Sequence, residues 1–466
     1  MKLLIGLVAV VVIVYISFLN WRRSIKAVFF LLVFEGVLRK WVLPQASDMM
    51  YFLKDLVLIG AYLRYYAFSD SERKVPIKSD WIKMLVFLVA GWCLFQTFNP
   101  SLGSPIVGFF GLRGYLFYIP LIWMTPNLFQ SEEDLYKFLR YHLLLLIPVC
   151  LLGAAQFFSP ASSPINVYAG GAEATAGFSG TGKVRVTGTF SYLSGYSMYL
   201  AVCFAILLPL VLKKQSRMWQ WVSTVEIALL TANSFMTGAR GLVLFEILFL
   251  GGYLSLMLLK QTSIIQNYLQ RFTVPIILSF LAAYIGFRPA VDAFMMRTTS
   301  SDNLSQRILN SFNVTEYFQY KQIYGYGTGA THQAVGALRG ALNLPSGELI
   351  PVGFESEMGR IALELGPIGF ILWYGFRTVL IVALGLTFWK LKISFLRQLA
   401  LAAFLTHAIL INGQLVVHHT FLVYYWFLAS FIFLLPRLEK IENFHKYQKL
   451  LQENVLSAYF NGSSHQ

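Results

Sequence analysis

Apolar runs of the length a membrane helix needs recur along almost the whole chain, and no other feature restricts its fold so severely. A hydrocarbon core about 30 Å thick is crossed by roughly 20 residues of α-helix. Of the 466 residues, 57% are hydrophobic and 13% charged, about half the charge of a soluble domain. The expected fold class is therefore an all-α polytopic membrane protein, with no room for a second soluble domain of ordinary size.

Breaks between the apolar runs place spans near 3–19, 24–40, 49–66, 82–99, 107–124, 138–158, 190–212, 219–236, 241–259, 272–288, 361–389, 396–412 and 419–435, thirteen within an expected 12–14. The first run follows a lone Lys2 and has no small-residue cleavage site before Trp21, Arg22 and Arg23, so it reads as a retained span. Cys93, Cys150 and Cys203 lie inside apolar runs without paired spacing and read as small core residues.

Basic residues mark cytoplasmic loops. Arg22, Arg23 and Lys26; Arg73, Lys74 and Lys78; Lys213, Lys214 and Arg217; Lys260 and Arg271; Lys390, Lys392 and Arg397; and Arg437, Lys440, Lys446 and Lys449 fall in alternate loops. The pattern predicts an outside N-terminus and a cytoplasmic C-terminus. It turns two long polar loops, about 159–189 and 289–360, to the periplasm or cell exterior. Residues 1–435 form the transmembrane domain, and 436–466 reads as a cytoplasmic amphipathic tail, with Leu438, Ile441, Phe444, Leu450, Leu451 and Val455 interleaved with Lys. The net charge of +15 is accounted for by anionic membrane lipid at that face and calls for no nucleic acid. The absence of an internal repeat argues against an inverted-repeat transporter.

A charge near the bilayer centre costs at least about 2.5–3.5 kcal/mol, so each one requires a partner or a function. Glu35 and Arg39, four residues apart, and Lys54 beside Asp55 read as mutually paired; Glu226 and Glu246 have no partner evident from sequence. On the exterior side four arginines mark the ends or flanks of loops: Arg185 in VRVTGTF, Arg240 in TGARG, Arg297 in FMMRTT and Arg307 in SQRIL. A guanidinium forms fork-shaped hydrogen bonds to phosphate oxygens. Arg240, at the expected N-terminus of a span, also has the helix dipole in its favour. An interfacial Arg can equally snorkel to lipid headgroups. There is no D-x-D, His/Cys cluster or P-loop, so neither metal nor nucleotide is implied and no cofactor is expected.

These segments carry a resemblance. RVTGTFSYLSGYSMYL at 185–200, TGARG at 237–241, Arg297 and Arg307 followed by GYGTG at 325–329, and ELGPIGF at 364–370 are similar, in order and placement, to motifs of the O-antigen polymerase and ligase family. The resemblance runs from about residue 105 to 415. It implies a membrane glycosyltransferase that uses glycans carried on undecaprenyl diphosphate as donor and acceptor, with Arg185, Arg240, Arg297 and Arg307 binding the diphosphate and, for a polymerase, a chain-length regulator as partner. Many members, ligases especially, place a His-Asn-type pair ahead of the E-x-G-x-x-G-like segment. Here the stretch reads Phe354, Glu355, Ser356, Glu357. Three side chains are then candidates for taking the proton of the acceptor hydroxyl: Glu355, Glu357 and His332, the last close to the Gly-rich turn. The departure favours a polymerase of lipid-linked repeat units over a ligase that transfers a finished glycan; a flippase or exporter of the same lipid-linked sugars is the alternative of another class.

Overall fold

The computed structural model describes residues 2–68, 80–171, 173–178, 181–260, 287–300, 309–321 and 323–463. The main helices are α1 (Lys2–Leu19), α2 (Trp21–Val37), α3 (Leu53–Tyr62), α4 (Asp80–Thr97), α5 (Pro105–Leu116), α6 (Glu132–Leu144), α7 (Leu146–Phe158), α8 (Leu193–Leu212), α9 (Arg217–Met236), α10 (Arg240–Lys260), α11 (Arg288–Ser300), α12 (Glu357–Lys390), α13 (Ser394–Ile409), α14 (His419–Ala429) and α15 (Phe431–Ser463). Among the described residues there is no strand, only isolated bridges between Val167 and Ala174 and between Gly177 and Val184. The expected span near 272–288, apart from its last two residues, and Arg307 lie outside the described residues.

The architecture is that of an all-α polytopic membrane protein, with fewer full-length spans than the thirteen expected. Seven described helices are long and apolar enough to cross a bilayer, or eight if His419–Ala429 and Phe431–Glu453, bent by 41°, form one broken span. The difference has local causes. The run 24–40 stops being an α-helix at Val37 and passes into a π-turn at Leu38–Val42. The run 49–66 is cut into Ser47–Met50 and α3 and ends in a second π-turn at Leu63–Ala67. Gln, Ser, Thr, Glu and Asn dilute the apolar character of α9. Helix α15 runs through Pro436 without a break, so the last apolar run and the tail that follows it share one helix.

Hydrogen bonds sort the connecting segments into two ends. At one end, Lys26 pairs with Asp134 at 3.2 Å and Lys213 with Glu132 at 2.6 Å, Arg437 donates to the Pro126 carbonyl, and Glu439 accepts the Lys392 and Ile393 amides at 2.6 and 2.7 Å. At the other, Trp41 donates to the Pro164 carbonyl at 3.0 Å, the Val186 amide to Met236 at 3.2 Å, Arg339 to Leu102 at 2.8 Å and Asn412 to Ser311 at 3.1 Å. Among the described residues, each of these bonds joins segments that the charge pattern assigns to one side, which divides those segments between two ends of the bundle. The second of these is called the loop end below.

A break in α12 shapes the loop end. Pro367 has no N–H to give the carbonyl of Leu363, four residues back, and that carbonyl instead accepts the Tyr326 amide at 2.7 Å, while Glu364 accepts the Gly327 amide at 2.9 Å. Gly366 sits at φ +66°, and a Cβ there would lie 2.2 Å from the Ile323 carbonyl oxygen, so no larger residue fits. The turn GYGTG at 325–329 is in this way pulled into the bundle, where Gly329 crosses Gly111 so closely that a Cβ on Gly111 would meet the Gly329 nitrogen at 2.2 Å.

Candidate functional site

The loop end holds two clusters of functional groups. The first is built by the segment after Arg185. Its amide donates to Ala176 at 2.8 Å, the next amide to Met236 at 3.2 Å, and the Arg185 Nε to the Thr237 carbonyl at 2.9 Å. That last bond lays the guanidinium across the α9–α10 turn, where Gly238 at φ +61° would place a Cβ 3.3 Å from the Arg185 Nε. Arg240 is the first residue of α10, with 9% exposure. Arg297 lies in the last turn of α11, which Phe294 pins to α9 through an edge-on contact with Phe235 at 5.3 Å. Burial, together with the positive charges of Arg297 and Arg240, pulls the Arg185 guanidinium down to about 10. It remains charged at neutral pH. Three of the four expected arginines therefore share one electrostatic neighbourhood, and an anion would relieve their mutual repulsion.

The second cluster surrounds His332, on the loop that follows the Gly-rich turn. Glu364 anchors that loop: its carboxylate accepts the Gly329 amide at 2.9 Å, the Thr331 amide at 2.9 Å, the Thr331 hydroxyl at 2.7 Å and the Tyr115 hydroxyl at 2.7 Å. Arg360 donates to the Thr331 carbonyl at 2.8 Å, and its guanidinium lies 5.2 Å from the Phe354 ring. His332 Nδ1 accepts the Ala334 amide at 3.1 Å, its ring meets Phe110 edge-on at 4.8 Å, and it lies nearly parallel to His419, 6.0 Å away. Burial, reinforced by Arg113, Arg360 and His418, pushes the His332 imidazole down to about 4, and burial with Arg360 does the same to His418. Both rings are neutral at physiological pH.

The two carboxylates expected beside His332 differ in setting. Glu355 is exposed, and its carbonyl accepts the Gln414 side chain at 2.8 Å. Gln414 in turn meets His418 Nε2 at 3.0 Å. Glu357 is fully buried at the start of α12, and one of its oxygens accepts the Leu415 and Val416 amides at 3.0 and 2.9 Å. It ties α12 to the α13–α14 turn.

The ion pairs expected near the bilayer centre form, in a different pattern. Glu35 accepts Lys54 at 2.8 Å and lies 3.6 Å from Arg39. Asp55 pairs with Arg113 rather than with its neighbour Lys54, and accepts the Tyr118 hydroxyl at 2.5 Å. Glu226 pairs with Arg140 at 2.9 Å, and Glu246 accepts the Ser234 hydroxyl at 2.6 Å. The two clusters are bridged by 187–191: Lys40 donates to Thr187, Gly188 and Phe190 at 2.8, 3.0 and 3.2 Å, and Arg39 to Ser191 at 3.2 Å. Arg39 and Arg113 both lie over the Tyr51 ring, at 5.1 and 4.6 Å, and that ring lies 5.4 Å from His419.

Arg113, His418 and His419 were not anticipated from the sequence. The adjacent pair His418–His419 at the mouth of a span is the signal that could have found two of them. Among the described residues no group of three His, Cys, Asp or Glu side chains is placed to hold a metal ion. Compared with family models and with curated proteins, the chain finds no match.

Proposed function

We propose that the protein polymerises lipid-linked repeat units of a cell-surface polysaccharide at the exterior face of a bacterial inner membrane. The observation that carries this reading is the gathering of Arg185, Arg240 and Arg297 in one neighbourhood, at the end of the bundle that also holds His332 and Glu355. In the proposed reaction the arginines grip the diphosphate of an undecaprenyl-linked donor and stabilise the charge that grows on it. The acceptor hydroxyl attacks the anomeric carbon, and the bond from that carbon to the diphosphate oxygen breaks with its electron pair leaving on the diphosphate. A carboxylate takes the hydroxyl proton, and the configuration at the anomeric carbon inverts.

Glu355 is the proposed base. His332 is ill suited to that role, because its Nδ1 lone pair is engaged by the Ala334 amide and the neutral ring then carries its proton on Nε2. One Glu357 oxygen is committed to two backbone amides. Glu355 is an exposed residue, and a base that must shed its proton after each cycle requires access to solvent.

The test is purified protein with lipid-linked oligosaccharide. Longer chains support the proposal; transfer only to a different acceptor would indicate a ligase, and movement across the bilayer without a new bond a flippase. Glu355→Gln is expected to insert and bind donor yet extend no chains. Normal extension by that variant, with loss in Glu357→Gln, would move the base to Glu357.

A further inference from the structure

We infer that His332 and His419 form a subsite that binds the hydroxyl groups of a sugar ring. It rests on the reading that the substrate is a glycan and names the residues that would meet it.

A buried polar atom without a partner is rare and calls for an explanation. His419 is only 4% exposed, yet among the described residues neither of its ring nitrogens has a hydrogen-bond partner, and the same holds for Nε2 of His332. The two rings lie within 26° of parallel at 6.0 Å. Three unpartnered ring nitrogens are thus concentrated in one place.

Their chemistry is complementary. With Nδ1 accepting the Ala334 amide at 3.1 Å, neutral His332 offers a fixed N–H donor at Nε2. Neutral His419 offers one donor and one acceptor. A hydroxyl is both donor and acceptor, so one sugar hydroxyl can accept the Nε2–H of His332 and donate to the acceptor nitrogen of His419, while a second hydroxyl farther along the glycan meets the other edge of the His419 ring. An oxyanion would leave the acceptor nitrogen of His419 facing a negative charge.

The surroundings favour a sugar over a more polar ligand. Aromatic rings wall the pair: Phe110 lies 4.8 Å from His332, and Tyr51 and Tyr118 lie 5.4 and 5.9 Å from His419. The apolar face of a pyranose packs on such rings. Arg113 and Arg360, close by, disfavour a positive charge on His332 and so keep the imidazole in the hydrogen-bonding form.

The experiment is saturation-transfer NMR on the full chain in nanodiscs, with a panel of neutral hexose and N-acetylhexosamine disaccharides that carry no phosphate. Transfer to at least one disaccharide is expected in the wild type. At least a fivefold reduction is expected in His332→Phe and in His419→Phe, which keep the ring and remove the nitrogens, and no reduction in Lys214→Gln, an exposed position at the other end of the bundle. No transfer to any of the panel, or full transfer in either Phe variant, overturns the subsite. Should the Phe variants fail to fold, wild type labelled with 15N-histidine decides: His332 must show its proton on Nε2, and the His332 and His419 signals must shift with the bound sugar. A proton on Nδ1, or no shift, rejects it. Because binding is read without turnover, sugar binding with no chain extension would sink the polymerase and leave the subsite standing. Chain extension with unaltered sugar binding in the Phe variants would do the reverse.

Discussion

The Glu364 carboxylate accepts both the amide and the hydroxyl of Thr331, at 2.9 and 2.7 Å, across 33 residues of sequence. With the Gly329 amide and the Tyr115 hydroxyl on its other oxygen, it fixes the strand of loop that carries His332. Glu364→Gln replaces one acceptor oxygen by a donor and leaves buried donors unmatched, each costing about 1–3 kcal/mol. The expected result is a lower unfolding temperature in nanodiscs and proteolytic cleavage within 325–334. Tyr115→Phe, which removes one bond of four, should be milder. A Glu364→Gln protein as stable and protease-resistant as wild type would show that the loop is held by other contacts.

Arginine at the first cluster is expected to be irreplaceable by lysine. Arg185→Lys, Arg240→Lys and Arg297→Lys keep the charge and lose the fork. If the three grip a diphosphate, each variant should insert normally and yield at most a tenth of the wild-type polymer. Lysine would serve nearly as well at a site that only anchors to headgroups, so wild-type polymer from all three variants rejects the diphosphate assignment.

Acid should weaken the protein through His332. Its folded-state value of about 4 lies below the unfolded value near 6.5, so the unfolded chain binds the proton more readily. The stability present above pH 6.5 is then lost progressively as pH falls towards 4, by on the order of 2 kcal/mol at pH 5 from this one group. His332→Gln should flatten that part of the stability curve. An unchanged pH dependence between 6.5 and 4 in the variant would show that His332 titrates normally.

The side each end faces can be read by thiol labelling. Cys93, Cys150 and Cys203 are all buried, so a cysteine introduced at the surface reports with little background. With Lys214 cytoplasmic and the loop end outside, Ser162→Cys and Gly340→Cys should react with an impermeant reagent in intact cells, and Lys214→Cys only after lysis. Labelling of position 214 from outside would invert the map.

The sequence by itself determined the solvent, the helical class and the grouping of loops into two ends, because hydrophobic run length and the placement of Lys and Arg are local properties that a bilayer reads directly. It also singled out Arg185, Arg240 and Arg297, since an arginine at the edge of an apolar run is conspicuous wherever the chain goes next. The tertiary structure alone decided which charges pair: Asp55 turns from adjacent Lys54 to Arg113, 58 residues on. It decided that Pro367 frees the Leu363 carbonyl for Tyr326, and that His332 meets His419, 87 residues away. Such partners are set by where separate helices cross, and long-range contact leaves no periodic trace in a single sequence. Glu364, read from the sequence only as part of the ELGPIGF segment, was therefore visible as a residue and invisible as the anchor of the loop that carries His332.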